Sequence, residues 1–482
     1  MSKLFYKKNS ISYLFFFLPL FFFLFIHYTN QVEDIWFLLS HGQYVVHHGI
    51  PHTEFLTIHH DLCFVMQQWG FSVILYLIYH FFGSIGINLF VGFINVLILF
   101  SLYKLCMLIS KNNKYFSCIV ASVIDLLLQF NFILPRPQII SLLLLILTLY
   151  ILEDYYVNSS KKLYFLPVLS ILLVNFHASI WPMLFVFCMP FVIEFLNFYL
   201  KKKDKRLFLL LFVIFLSVLI SFINPYGIEA LVYTFHSYGI SLFNQLIVEM
   251  HSFSLDIHNY TLLCNSSFVL FVIIINLFFI IKNSKKCPIH YYFFFFGLSF
   301  MAVMNLRNLS FLLIGTLPFV VLNFHKKEDY KIANKVYFIG FIFLIFIYGI
   351  NCCRGGYTIK NTTVNELVHY LDENKNNKDN LRIFTYFDDG PYFEYSGYKV
   401  YMDTRAEVFL KKNNKKEDIF DEYYRVLIGD IDYDQFIDKY QFTHLVVPKD
   451  SFIYYYLQSN DYYKIVCRQG DNYLYEKDYS IE

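Results

Sequence analysis

Glu33-Asp34-Ile35-Trp36 places two carboxylates directly after the first apolar segment of this 482-residue chain. His41-Gly42, then His47-His48-Gly49-Ile50-Pro51-His52-Thr53-Glu54-Phe55, then His59-His60-Asp61 follow it. A carboxylate at the mouth of a membrane bundle can accept a proton from an attacking hydroxyl or bind a divalent cation such as Mg or Mn. Acids are costly at that depth and are often kept for function; the alternative is that Glu33 and Asp34 are solvated charges marking the membrane boundary. The Gly-Ile-Pro turn folds His52 and Glu54 back toward the membrane. His47/His48 and His59/His60 are adjacent pairs without the i, i+4 spacing of a helical zinc site, and a hydrophilic loop accounts for them.

Further along, Arg136 lies between two prolines and Arg307 between two apolar runs. A guanidinium facing a cavity grips phosphate or pyrophosphate bidentately; a snorkelling interfacial arginine is the structural alternative. His177, two residues after Asn175, interrupts a long apolar stretch. Such a break is tolerated at depth only against protein or a wet cavity. Asp125 sits within an apolar run and is expected to face the bundle interior. Glu249-Met250-His251 and Asp256 lie beyond the turn Asn224-Pro225-Tyr226-Gly227, and Asp403-Thr404-Arg405 follows a predicted strand, where the two charges pair with each other or bind a ligand.

The elements that position these residues are transmembrane. The chain is 57% hydrophobic, 21% aromatic and 16% charged, as a polytopic α-helical membrane protein requires. Apolar runs fall at 13–27, 69–82 with 87–107, 116–134, 139–152, 163–175, 180–199, 207–223, 268–281, 291–304, 309–322 and 336–350, giving about eleven transmembrane helices. No small-residue cleavage site follows Lys3, Lys7 and Lys8, so the first run reads as an uncleaved helix. Lys and Arg concentrate on alternate loops, which predicts a cytoplasmic N-terminus and, after an odd number of crossings, an external C-terminus in the plasma membrane. A net charge of +2 gives no reason to invoke nucleic acid. The nine cysteines show no metal spacing, although Cys352 or Cys353 could pair with Cys467.

Residues 1–351 therefore read as the membrane bundle, with long outer loops at 31–68 and 224–265. Residues 352–482 read as an extracytoplasmic α/β domain, long enough for its own core. Within it, helices are expected at 365–373, 418–427 and 451–458, strands at 382–386, 399–402 and 443–447, and a closing hairpin from 463–467 and 473–476.

Taken in order, Asp34-Ile-Trp36, Gly42, Gly49-Ile-Pro51-His52-Thr53-Glu54-Phe55, Gln68-Trp69 and Gly83-Ser-Ile-Gly86 resemble the first outer loop of C-type membrane glycosyltransferases. The likeness is to bacterial relatives of the protein O-mannosyltransferase and aminoarabinose transferase group. Arg136-Pro137-Gln138, Asn175-Phe-His177, Asn224-Pro-Tyr-Gly227, Glu249, Arg307, Asp389-Gly390 and Asp403-Thr404-Arg405 continue that order. The resemblance implies an outward active site taking a sugar from a polyprenyl-phosphate donor to a glycan, lipid or protein acceptor, probed by Asp34 as base or metal-linked acid and by Glu54 as a second catalytic residue. Glu33, His52, Arg136, His177, Glu249 and Arg307 are the implied substrate contacts. Glu54 stands where relatives often have Asp, and no acid accompanies Arg136. A polysaccharide polymerase or ligase is the alternative enzyme, but its arginine-rich outer loop is lacking, since 224–265 holds no Arg. A transporter or scaffold is the non-catalytic alternative, and the repeated halves usual in transporters are not evident.

Overall fold

The computed structural model describes residues 34–237, 242, 247, 250–282, 287–324, 363–375 and 377–480. The first and last expected spans, Glu33, Glu249, Cys352 and Cys353 lie outside these residues.

Directly after Asp34 the chain forms α1, Ile35–His48, whose first two turns bury Ile35, Phe37, Leu38, Leu39 and His41. The segment expected to be loop is thus helical for its first third, and His47 and His48 occupy the last turn of α1. Next comes α2, Trp69–Ile109, a 41-residue element bent at Gly83, where φ of 60° is open to glycine at little cost. The bend separates the two apolar runs read from the sequence. The bundle continues through α3 (Lys114–Gln129), α4 (Gln138–Asn158), α5 (Leu166–His177), α6 (Trp181–Lys202), α7 (Arg206–Ile220), α8 (Ile228–Ser237), α9 (Tyr260–Lys282), α10 (Ile289–Met304) and α11 (Leu309–Thr316). Among the described residues α2, α4, the Lys161–Lys202 stretch and α9 are long and apolar enough to cross a membrane, and 116–129, 206–220, 289–304 and 306–322 are shorter apolar helices. Phe81, Phe82, Phe93, Phe215, Phe296 and Phe300 project outward, an apolar surface that suits lipid rather than water. The chain is a membrane protein built on helices, with a small sheet near its C-terminus.

Several charged groups inside the bundle are paired, which offsets the cost of a low-dielectric interior. His290 of α10 bonds Glu153 of α4 through Nε2 (3.2 Å) and Glu194 of α6 through Nδ1 (3.0 Å). Asp125 of α3 is fully buried and accepts from Gln129 (2.7 Å) and from Asn95 of α2 (3.4 Å).

The C-terminal segment carries α12 (Asn365–Asn374), β1 (Ile383–Phe384), α13 (Gly390–Tyr395), α14 (Ile419–Ile428), α15 (Tyr433–Tyr440), β2 (His444–Pro448), α16 (Phe452–Gln458), β3 (Tyr463–Gln469) and β4 (Asn472–Lys477). The sheet order is β1-β2-β4-β3, with β1 parallel to β2 and the rest antiparallel. The expected strand at 399–402 is reduced to single bridges that Val400 makes to Ile383 and to Thr57 of the segment between α1 and α2. That segment is sewn to the tail: Ile58 N donates to Val400 O (2.9 Å), Cys63 N to Asn414 O (3.2 Å), and His59 Nε2 lies 2.8 Å from Tyr401 O. Helix α13 packs on α1, where Trp36 meets Tyr392 and Tyr395 at ring separations of 5.0 and 4.9 Å. Gly390 at the start of α13 lets the Met402–Asp403 backbone approach closely, because a Cβ on it would fall 2.1 Å from Met402 O.

Candidate functional site

A cavity of about 460 Å³ opens between the bundle and the tail. Asp34, the residue before α1, lines it together with Phe37 and His41 of that helix. Arg136 reaches it from the Pro-Arg-Pro turn, where two fixed proline φ angles and an Arg136 N to Leu134 O bond (2.7 Å) hold the backbone. Its Nε lies 2.8 Å from Asp34 Oδ2, and both side chains are about a quarter exposed, at 23% and 24%. His177 enters where α5 ends: its own backbone leaves the helix at φ −163° and ψ 74°, and its Nδ1 lies 2.7 Å from Ser141 Oγ of α4. Arg307 arrives on a single 3₁₀ turn initiated by Asn305, whose side chain accepts from Arg307 N (3.0 Å).

Four of the residues singled out from the sequence, Asp34, Arg136, His177 and Arg307, therefore meet on one cavity. His52 does not: it is exposed and rests edge-on against Tyr226, whose hydroxyl donates to Pro51 O (2.8 Å). Glu54 does not line the cavity either; its carboxylate binds Arg405 and accepts from Leu56 N (2.7 Å). Asn175 and Asn224 prove to be fasteners. The first accepts from Trp69 Nε1 (3.0 Å) and donates to Ile223 O (3.0 Å), and the second donates to Gly227 O (3.0 Å) within its own turn.

The remaining wall comes from the tail: Asp388, Thr404, Arg405 and Glu407. Arg405 is the buried centre of a network that joins tail to bundle. It binds both Asp403 oxygens through Nε (2.9 and 3.0 Å), Glu54 bidentately through Nη1 and Nη2 (2.9 and 3.1 Å), and Glu394 of α13 (3.2 Å). The pairing of Asp403 with Arg405 matches the structural reading of that motif. Its reach across 351 residues to Glu54 is what the sequence did not disclose. Arg405 Nη1 also lies 3.0 Å from His41 Nε2. A guanidinium only donates, so Nε2 accepts, while burial, followed by the nearby Arg405 charge, holds the His41 pKa well below its ordinary value. His41 is thus neutral.

Electrostatics separates the cavity acids. Asp388 sits on the segment after β1, exposed to the cavity yet crowded by protein; burial, then the Asp34 charge, raises its pKa, and Arg136 opposes them. The Glu407 carboxyl is pushed up by burial and pulled back by Arg307. Asp389, the acid of the quoted Asp-Gly pair, turns away from the cavity: it accepts from Thr363 Oγ1 (2.7 Å), and burial lifts it to about 6. Its neighbour Asp388 is the cavity acid, one position from the residue the motif highlighted. The signal for it was its place at the end of a strand in Tyr386-Phe-Asp-Asp-Gly390.

Among the described residues no three His, Cys, Asp or Glu side chains come together as a metal site. The close partner of Asp34 is a guanidinium rather than a second ligand.

No family profile matches the chain, and no curated protein sequence matches it. Solved structures do. The oligosaccharyltransferase of Archaeoglobus fulgidus in its apo form superposes with a TM-score of 0.59 at 10% identity, over 92% of this chain and 69% of that one. ArnT from Cupriavidus metallidurans, bound to undecaprenyl phosphate, superposes with a TM-score of 0.54 at 11% identity, over 100% of this chain and 99% of that one. The Archaeoglobus enzyme in complex with Zn and sulfate reaches a TM-score of 0.50 at 13% identity. The bundle and the tail together share the fold of these two proteins.

Proposed function

We propose that this protein is a membrane glycosyltransferase that moves a sugar from a polyprenyl-phosphate donor to an acceptor at the outer face of the plasma membrane. The observation that carries the proposal is the meeting of the Asp34–Arg136 pair with Arg307 on one cavity wall, in a fold shared with an enzyme bound to undecaprenyl phosphate. Arg136 and Arg307 are the two cations suited to the donor phosphate, and His177 borders the same space. Glu33 and Glu249 adjoin Asp34 and Met250 in sequence, and we assign them to substrate contact. Glu54 acts through Arg405 as a positioning residue, and His52 braces the Pro51 turn.

In the reaction the acceptor hydroxyl oxygen bonds to the anomeric carbon while the bond from that carbon to the phosphate oxygen breaks. The electron pair leaves on the phosphate, the hydroxyl proton passes to a cavity carboxylate, and a single displacement inverts the anomeric centre. Charge growing on the phosphate faces preorganised guanidinium groups, which stabilise it more than water would. Asp34 stands beside those groups as the acid of the site.

The test is transfer from radiolabelled polyprenyl-phosphate sugars in membranes carrying wild-type protein or Asp34→Asn. Transfer by wild type that disappears in the variant supports the assignment; no transfer from a broad donor panel overturns it. With two arginines already facing the phosphate, chelation by EDTA is expected to leave more than about half of the rate, since electrostatic stabilisation is supplied by the protein. A tenfold loss in EDTA would instead place a divalent cation beside Asp34.

A further inference from the structure

We propose that Asp388, contributed by the C-terminal tail, is the general base that takes the acceptor proton, while Asp34 holds charge and orientation beside Arg136. The inference rests on the glycosyltransferase reading and divides its labour between two carboxylates.

Three observations support the division. Both acids line one cavity, but they are bound differently: Asp34 is 2.8 Å from the Arg136 guanidinium, whereas Asp388 has no hydrogen-bond or ion-pair partner among the described residues. A carboxylate committed to a guanidinium is a weak proton acceptor, and a reachable one without a partner has lone pairs free to meet a hydroxyl. Second, Asp388 is exposed to the cavity, so a hydroxyl can approach it. Third, the groups around Asp388 set the two acids apart. It faces the Asp34 charge on the α1 side, Arg136 on the turn before α4, neighbouring Asp389, and Tyr423 of α14. Burial and the Asp34 charge raise its pKa, which moves a carboxylate toward the range where a base works at neutral pH.

The step balances within the proposed reaction: the acceptor O–H bond breaks, its proton goes to an Asp388 oxygen, the new oxygen–carbon bond forms, and the departing phosphate keeps the electron pair. Asp388 returns the proton to solvent through the open cavity.

The experiment compares initial rates of sugar transfer by wild type, Asp388→Asn and Asp34→Asn between pH 5 and 9, in full-length protein in native membranes, with tail protease resistance as the folding control. Asp388→Asn is expected to lose at least 100-fold in rate at saturating donor, to keep its KM for the polyprenyl-phosphate sugar, and to lose the acid limb of the wild-type profile. A variant keeping more than a tenth of the rate with that limb intact overturns the proposal. A second reading needs no change at Asp388: residual activity of Asp34→Asn should show its acid limb displaced to lower pH, because the charge that raises Asp388 is gone. An unmoved limb overturns the assignment even where Asp388→Asn fails to fold. Wild type without transfer from any donor defeats the parent proposal instead, so the two failures are distinct.

Discussion

Asp34→Asn protein is expected to insert and accumulate as wild type does while transferring sugar about 10²- to 10⁴-fold more slowly. The substitution keeps shape and hydrogen-bonding capacity, so α1 and its packing on α2 and α13 have no reason to move. What disappears is one negative charge at 2.8 Å from Arg136 Nε. Arg136 then holds a neutral amide, and the cavity gains net positive charge beside Arg307. The donor phosphate is bound at least as tightly as before, but the reacting centre loses the charge that orients guanidinium and hydroxyl together. The expected signature is a fall in kcat with KM for donor unchanged or lower. Transfer by the variant within about threefold of wild type would remove Asp34 from the reacting centre.

Arg405→Met should detach the tail. Methionine approximates the length of the side chain but leaves Glu54, Asp403 and Glu394 buried around an apolar group, with their shared guanidinium gone. Removing one member of a buried ion network costs about 3–5 kcal/mol, because the remaining charges lose compensation. The expected results are rapid proteolysis of the C-terminal segment in intact membranes and loss of transfer at normal insertion. Adding Glu54→Gln and Asp403→Asn to Arg405→Met should restore part of the protection, since neutral groups are cheaper to bury. A tail equally resistant in wild type and Arg405→Met would show that docking rests on other contacts. The same network gives docking a pH dependence of known sign. Burial and the Asp403 charge raise the folded-state pKa of Glu394 well above its ordinary value, against the pull of Arg405; that contribution is complete below the unfolded pKa and is lost as pH climbs above the usual carboxylate range. For Asp403 burial raises the pKa, but Arg405 outweighs it and the net shift is downward. Its contribution is therefore lost as pH falls through the acid range. Mildly acidic conditions should hold the tail most firmly.

The sequence disclosed different parts of this arrangement for different reasons. Apolar runs located α2 through α7 and α9 through α11 because lipid-facing and core-facing positions are alike in polarity, leaving a strong signal, but α8 lies inside the expected loop 224–265. They could not show that 35–48 is a helix, since α1 is short, carries histidines at its end and lies among polar residues. In the tail, helices 365–373 and 418–427 were legible from their apolar periodicity, and the hairpin from alternation. Helix α13 went unnoticed because six residues beginning Gly-Pro look like a turn, and α15 because it is short and interleaves Asp434, Asp438 and Lys439 with its apolar residues. Asp34, Arg136, His177 and Arg307 were visible as polar residues where apolar ones are expected. Asp388, Glu407 and His41 were not, because their meaning depends on contacts between segments hundreds of residues apart. Glu54 was noticed for its charge, but its partner, Arg405, is a fact of tertiary structure.

The Glu54–Arg405 contact bridges 351 positions of chain. During synthesis Asp34 and Arg136 emerge long before Asp388, and at translation speeds of about 5–20 residues per second the interval is on the order of tens of seconds. Throughout that time a nascent chain has Asp34 and Arg136 but lacks the wall that completes its cavity. On the glycosyltransferase reading the tail thus acts as a timer, since no complete site exists until Asp388, Thr404, Arg405 and Glu407 have joined the cavity.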